Sequence, residues 1–281
     1  MKKTLLALTM AALTSGAATS ALAQPKAPEP DYTISGNFGL FSDYRYRGIS
    51  QTRLEPAVQG GVDFTHKSGF YVGNWNSNVS SVQLNGGSGG EMDFYGGYKS
   101  TIGSIGVDVG TLYYYYPGAS ITTSSANKAE IDNYDTQEVY LGLSFGPVSF
   151  KTSYSLTDYF GLNSRTDELL GATAKSSGDT KGTIYYDVAV SHEIAPKTVI
   201  SAHAGRTEFK TWTNYSYSDY RLGVTRDFDG WVVGLSYHTN SMNADTKSFN
   251  TNSAVMHGTA GSLAEKKLYK SAAVISLSKT F

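Results

Sequence analysis

The sequence predicts an all-β fold, a closed antiparallel transmembrane β-barrel of about 12 strands, with short turns at one end and long loops at the other. Three observations carry that expectation. A composition with 30 Gly and 21 Tyr and no Cys favours strands and turns over helices. Twelve segments alternate apolar and polar residues with period two rather than the helical 3.6. The connections between them alternate strictly in length, beginning and ending with a long one.

Charge and hydrophobicity exclude other classes. With 24 acidic against 23 basic side chains and a formal net charge of −1, the chain lacks the basic stripe of a nucleic-acid binder. Charged residues at 17% beside hydrophobics at 40% fit neither a disordered tail nor a bundle of membrane helices. At the start, Lys2 and Lys3, the apolar run from Leu5 to Leu13, and Ala21-Leu22-Ala23 read as a cleavable secretory signal over residues 1–23. That run is shorter than the ~20 residues of a spanning helix. Residues 24–30, with Pro25, Pro28 and Pro30, read as a short extended leader, and 31–281 as the barrel. No later segment offers 18 consecutive apolar residues, so strands closed into a barrel are the remaining way to satisfy the backbone in lipid.

The expected strands follow in order. From Tyr32, apolar Ile34, Phe38 and Leu40 alternate with Ser35, Asn37 and Gly39; continuing that parity turns Tyr44 and Tyr46 outward and Arg45 and Arg47 inward. Val58, Val62 and Phe64 oppose Gln59, Gly61 and Asp63. In the third segment, Phe70 to about Val79, Tyr71 and Trp75 are expected outside against Asn74 and Asn76. The fourth sets Met92, Phe94 and Tyr98 against Glu91, Asp93 and Lys99, and the fifth Ile105, Val107 and Val109 against Gly106, Asp108 and Gly110. Val139 to Phe145 and Val148 to Leu156 give two more, with Glu138, Tyr140 and Lys151 inward. Ile184 to Ser191 directs Tyr185 and Asp187 inward, and the last four segments are Val199–Arg206, Tyr217–Thr225, Trp231–Asn240 and Lys270–Phe281.

Five connections are tight, at 66–69, 100–104, 146–147, 193–198 and 227–230. Six are long and polar, near 48–56, 80–90, 117–135, 161–181, 207–216 and 241–268. This asymmetry, with an even strand number, suits short periplasmic turns and long extracellular loops. A soluble β-sandwich has no reason to keep its long loops at one end. Aromatics near strand ends, namely Tyr44, Tyr46, Tyr113 to Tyr116, Tyr159, Phe160, Tyr215, Tyr217 and Tyr220, are expected to form interfacial girdles. Phe281 shares the apolar parity of Ile275 and Leu277, as in the terminal-strand signal of outer-membrane proteins, with Lys279 placed to snorkel.

Catalytic and metal motifs lack their context. Gly142-Leu143-Ser144-Phe145-Gly146 matches a nucleophile elbow, but it lies in an alternating strand followed by Pro147 rather than a helix. His192-Glu193 begins a zinc motif that Pro196 ends, and the five histidines have no ligand-like spacing. His238 with Ser236 is the nearest approach to a hydrolase pair, on the inner face. Asp227 to Gly230 reads as a type I turn, and Gly86 to Gly90 as a flexible loop with no phosphate-binding lysine. No cofactor is implied.

Function is therefore expected on the inner wall. The inward charges are Asp43, Arg45, Arg47, Asp63, Glu91, Asp93, Lys99, Asp108, Glu138, Lys151, Asp187, Asp219 and Arg221. Eight acids against five bases suggest an aqueous pore with a transverse field and a weak cation preference. The alternative is a set of charges that pair across the lumen and plug it.

Phe41-Ser42-Asp43-Tyr44-Arg45-Tyr46-Arg47-Gly48-Ile49-Ser50-Gln51-Thr52, then Pro56-Ala57-Val58-Gln59-Gly60-Gly61-Val62-Asp63-Phe64, resembles the TorF family of porins, formerly grouped as the Gcw_chp proteins of proteobacteria. Ser68 to Trp75, Glu91 to Tyr98, Tyr113 to Pro117, Ser218 to Gly223 and Ser276 to Phe281 extend the likeness over nearly all of the mature chain. The resemblance implies a porin of the Gram-negative outer membrane, without catalysis, passing small hydrophilic solutes. Its expected partners are outer-membrane lipids and lipopolysaccharide, and the barrel-assembly machinery through the strand ending at Phe281. A structural or partner-binding barrel with a blocked lumen, and less so an outer-membrane hydrolase, are the other readings.

Overall fold

The computed structural model describes residues 30–81, 87–122, 130–167, 178–242 and 267–281. The expected signal peptide and nearly all of the leader lie outside the described residues, as do Gly86 and much of the expected loop at 241–268. Twelve strands form one closed barrel: β1 Tyr32–Phe41, β2 Ala57–His66, β3 Phe70–Asn78, β4 Gly90–Ile102, β5 Ile105–Tyr115 and β6 Thr136–Phe145. The circuit continues through β7 Val148–Ser155, β8 Ile184–Ala195, β9 Thr198–Glu208, β10 Tyr217–Phe228, β11 Trp231–Asn240 and β12 Ala272–Thr280.

Each strand pairs antiparallel with its sequence neighbour. β12 then pairs with β1, from Asn37 opposite Thr280 to Phe41 opposite Ser276, and two backbone bonds between Gly36 and Phe281 extend the seam. No barrel edge is left open. The strand count and the long and short connections are those read from the sequence. Arg45–Tyr46 with Ile49–Ser50, and Ser120–Thr122 with Glu130–Asn133, form two small ribbons within the long loops.

The outer face is apolar and fully presented to the surroundings: Leu222 is 65% exposed and Ile275 62%, with Ile34, Val62, Val188 and Leu235 alike. A belt of this extent is a lipid-facing surface. Among the described residues no helix is long and apolar enough to cross a membrane. At the short-turn end Tyr32 stacks on Phe64 at 5.6 Å and Phe70 meets Tyr98 at 5.0 Å, forming an aromatic rim with Phe228 and Trp231.

Three expectations are corrected. In β3 the face assignment is inverted: Phe70 and Val72 face lipid, so the pleat turns Tyr71 and Trp75 inward and Asn74 and Asn76 outward. Their amide nitrogens bond locally, Asn76 donating to Asn74 at 2.6 Å and Asn74 to the Asp93 carbonyl at 2.9 Å, while the Asn76 Oδ1 is left without a partner. Tyr44 and Tyr46 also lie inside, because β1 ends at Phe41 and the chain then bends into the barrel, with Arg47 and Gly48 at positive φ of 46° and 79°. Of the expected girdle, only Tyr113, Tyr115 and Tyr220 face outward; Tyr114, Tyr116, Tyr159, Phe160, Tyr215 and Tyr217 join the interior.

The 229–230 turn differs too. Both central residues, Asp229 and Gly230, have positive φ of 54° and 90°, the signature of a type I′ hairpin whose twist matches the flanking strands, not of a type I turn. Asp227 caps it by accepting from the Gly230 amide at 2.7 Å, and Lys197 of the neighbouring hairpin bonds Asp229 at 2.7 Å. Gly230→Ala is expected to cost about 1 kcal/mol, because a Cβ penalises this backbone region. The shift of the thermal unfolding midpoint in detergent measures it, and an unchanged midpoint would refute the turn assignment.

Candidate functional site

Closure makes the inner face a lumen, and the register places its residues in rows. One row runs from Gly106, beside the 103–104 turn, through Ser144, Ser149, Ala189, His203 and Arg221 to His238, near the long-loop end of β11. The row above it carries the charges: Lys99, Asp108, Gly142, Lys151, Asp187, Gly205 and Asp219. Gly, Ser and Ala thus stand in the wall among charged and imidazole side chains.

Glycines let the lumen tyrosines lie along this wall. Tyr71 and Tyr140 approach each other over Gly97 and Gly110, where a methyl would stand 2.6 Å and 2.5 Å from their hydroxyls. Those hydroxyls are hydrogen-bonded to each other, and Tyr71 also donates to Asp108 at 2.6 Å. Tyr95 crosses Gly73 in the same manner to donate to Asp63 at 2.6 Å, and Tyr185 crosses Gly205 to Asp219 at 3.1 Å. Three of these four ring faces hold a cation: Lys99 Nζ is 4.5 Å from the Tyr71 centroid, Lys151 Nζ 3.9 Å from Tyr140, and the Arg47 guanidinium 4.0 Å from Tyr185. His203 bridges two carboxylates, Nδ1 to Asp187 and Nε2 to Asp219, both at 2.9 Å.

Toward the long loops the lumen is occupied by the segment 42–56. Arg47 forms a bidentate bridge to Glu138 of β6, with Nη2 at 2.9 Å and 2.8 Å from the two oxygens, and Nη1 donates to Tyr159 at 3.0 Å. Arg45 pairs with Asp43 at 2.5 Å and donates to the carbonyls of Leu268 at 3.0 Å and Lys270 at 2.8 Å, ahead of β12. Asp43 also accepts from Ser50 at 2.6 Å and Thr52 at 3.1 Å, which folds the loop on itself. Tyr44 packs edge-on against Trp75 of β3 and donates to Glu91 of β4 at 3.1 Å. Gly48 lies against β10, where a methyl would meet the Asp219 Cβ at 2.9 Å. The segment therefore touches the wall on several sides.

Two aromatic clusters surround it: Tyr44, Tyr114, Tyr116 and Tyr134 with Trp75, and Tyr159, Phe209, Trp212 and Tyr215, linked by Phe160. Burial works against the Arg47 charge, but Glu138 and the nearby phenols outweigh it, so the guanidinium is held more firmly protonated than in water. Burial, reinforced by Glu91 and Asp93, keeps the Tyr44 phenol neutral.

The thirteen charges expected to line a pore divide into three sets. Asp43, Arg45 and Arg47 stand on the inward loop rather than on a strand. Glu91, Asp93, Glu138 and Asp219 face inward but are at most 8% exposed, covered by that loop and its aromatic neighbours. Asp63, Lys99, Asp108, Lys151, Asp187 and Arg221 remain accessible from the lumen. That set holds three acids and three bases, so the surplus of carboxylates behind the expected cation preference is confined to the covered residues. Sequence reasoning missed Tyr71, Tyr95 and His203, whose roles depend on residues one or two strands away.

The motif candidates acquire no catalytic geometry. Ser144 sits in β6 between Gly106 and Ser149, and the chain turns directly into β7. Ser236 and His238 are 2.9 Å apart, but among the described residues no carboxylate hydrogen-bonds the imidazole to complete a triad, and Arg221 is its cross-strand neighbour. Among the described residues no three His, Cys, Asp or Glu side chains gather as metal ligands.

Arg47→Met alone strands a buried carboxylate and is expected to destabilise the barrel by about 3 kcal/mol, whereas pairing it with Glu138→Leu should restore part of that loss. Unfolding of the two single variants and the double variant in detergent gives the coupling. Strict additivity would show that the bridge is not a clamp.

The chain is similar in structure to the KdgM porin, with 6% identity and a TM-score of 0.47, over 88% of this chain and 98% of that one. It is similar to the NanC porin, with 9% identity and a TM-score of 0.46, over 88% and 98%. A third similar structure is the outer membrane protein opdK from Pseudomonas aeruginosa, with 11% identity and a TM-score of 0.37, over 91% and 68%. No curated protein matches in sequence. The family described as "Bacterial protein of unknown function (Gcw_chp)" matches residues 24–281, and the chain belongs to it.

Proposed function

We propose that this protein is an outer-membrane channel, a porin of the TorF type, through which small hydrophilic solutes or ions diffuse passively without catalysis or cofactor. The observation that carries the reading is the part of the lumen that the 42–56 segment leaves uncovered, where Gly, Ser and Ala stand in the wall among six accessible charges. Eight strands make a bore that side chains just fill, and 16 leave an open channel; a twelve-stranded bore walled by such short side chains has more room than they occupy. A dry cavity would strand those charges, so water is the fitting content. The lipid-facing belt, the expected export signal and the alternating loop lengths support the outer membrane as its location, in contact with lipid and lipopolysaccharide, and β12 as the strand read by the assembly machinery.

One observation favours a second reading. The 42–56 segment and its aromatic neighbours fill much of the long-loop half, as in a blocked barrel that binds a partner through its outer loops. Conductance decides between them. The purified barrel should carry discrete currents in planar bilayers and swell liposomes with small neutral sugars, with Arg47→Met raising the unit conductance as the loop loses its latch. A correctly folded barrel, checked by heat-modifiable gel migration, that passes neither current nor sugar in both forms would establish the blocked reading.

A further inference from the structure

We infer that Lys99 and Lys151, seated on the joined rings of Tyr71 and Tyr140, form a binding site for small organic dianions, dicarboxylates foremost. The inference rests on the channel reading for access to the lumen. Its basis is a contrast in partners. Each accessible carboxylate already receives a hydrogen bond: Asp63 from Tyr95, Asp108 from Tyr71, Asp187 from His203. Among the described residues Lys99, Lys151 and Arg221 have neither a hydrogen bond nor an ion pair. An ammonium has three donors and accepts nothing, so water or a solute must complete its shell.

Position adds to this. Lys99 is on β4 and Lys151 on β7, in the same register row, with Asp108 and Gly142 between them. Three strand spacings separate their backbones by about 14 Å. The side chains lean over rings that meet at their hydroxyls, so their heads are drawn together along one shelf. The ring faces restrain two otherwise mobile side chains, which lowers the entropy lost when a ligand bridges them. Asp108 is the opposing charge on the shelf, since Glu138, another carboxylate acting on Lys151, is held by Arg47; two ammonium groups against one carboxylate leave the shelf net positive. Asp187, beside Lys151 in the row, is turned to His203. A dianion a few carbons long can place one carboxylate at each lysine, which a single chloride cannot do.

The test is succinate titrated against chloride current in planar bilayers, with radiolabelled succinate binding to the detergent-solubilised barrel as a second readout. Wild type should show a chloride preference of a few fold over potassium and block by millimolar succinate. Lys99→Gln with Lys151→Gln should weaken block and binding at least tenfold, while Lys67→Gln, at the short-turn rim beside Asp31, should leave both unchanged. If wild type conducts but succinate neither blocks nor binds, or if the double variant retains wild-type affinity, the site is overturned while the channel stands. If no current flows, the channel reading falls, and the binding assay alone decides the shelf. Equal block by sulfate and succinate, lost together in the double variant, would keep the site but replace the dicarboxylate by any compact dianion.

Discussion

Everything in this molecule follows from the need to pair each backbone N–H and C=O within a surface that faces lipid. Hydrocarbon offers no hydrogen bonds, so a sheet in it must close on itself, and the pairing of β12 with β1 achieves that. Closure forces each residue to face either lipid or lumen, and side chains divide by parity. The period-two pattern is the trace of that division in the sequence. The stability of the ring lies in the ladder and not in a hydrophobic core, which is why the apolar residues are the exposed ones.

What fills the inside is a separate matter, because the ladder leaves a bore that short side chains do not occupy. At the long-loop end the chain brings 42–56 back into the bore and fastens that segment with two arginines. Arg47 reaches Glu138 and Tyr159, while Arg45 ties Asp43 to the segment before β12. A guanidinium suits such a latch because it offers donors in several directions: Arg47 holds both Glu138 oxygens and the Tyr159 hydroxyl, while Arg45 uses Nε and Nη1 and leaves Nη2 buried without a partner. At the short-turn end the wall stays thin. The same barrel therefore has a protein-like interior at one end and a polar bore at the other.

This division sets how much was legible in the sequence. β1, β6 and β8, whose lipid faces carry Ile34, Leu40, Leu141, Leu143, Val188 and Val190, announce both their existence and their orientation: Leu141 and Leu143 cannot be mistaken for lumen residues. β3 announces only its existence. Tyr71 and Trp75 are amphipathic, Asn74 and Asn76 are polar but can bond locally, and parity cannot be ranked when neither set is plainly apolar. Tyr44 and Tyr46 were misplaced because nothing local marks the end of β1 at Phe41, after which parity has no meaning. The latch was invisible for a different reason. Arg47 and Glu138 are 91 residues apart, and only closure brings β6 to face the loop. Counting charges failed with it, since eight acids and five bases say nothing about which of them pair or remain in contact with water.

The unusual abundance of glycine and tyrosine then has a shared cause. A tyrosine standing up from the wall of a narrow barrel would cross the lumen, and one lying down needs a neighbour without a side chain. Gly97, Gly110, Gly73 and Gly205 supply that space for Tyr71, Tyr140, Tyr95 and Tyr185. A reclining ring covers the bare backbone, delivers its hydroxyl to a carboxylate one or two strands away, and turns its face to the lumen, where it holds a lysine or arginine by its quadrupole. The phenol leaves the carboxylate's charge in place but satisfies part of its hydrogen bonding, whereas Lys99 and Lys151 keep their donors free. Charge alternation around the ring is thus preserved while donor and acceptor capacity is not. A lumen that looks neutral by formal count is consequently one-sided in the hydrogen bonds it can offer a passing solute, and that asymmetry is built from the glycine positions rather than from the charged residues themselves.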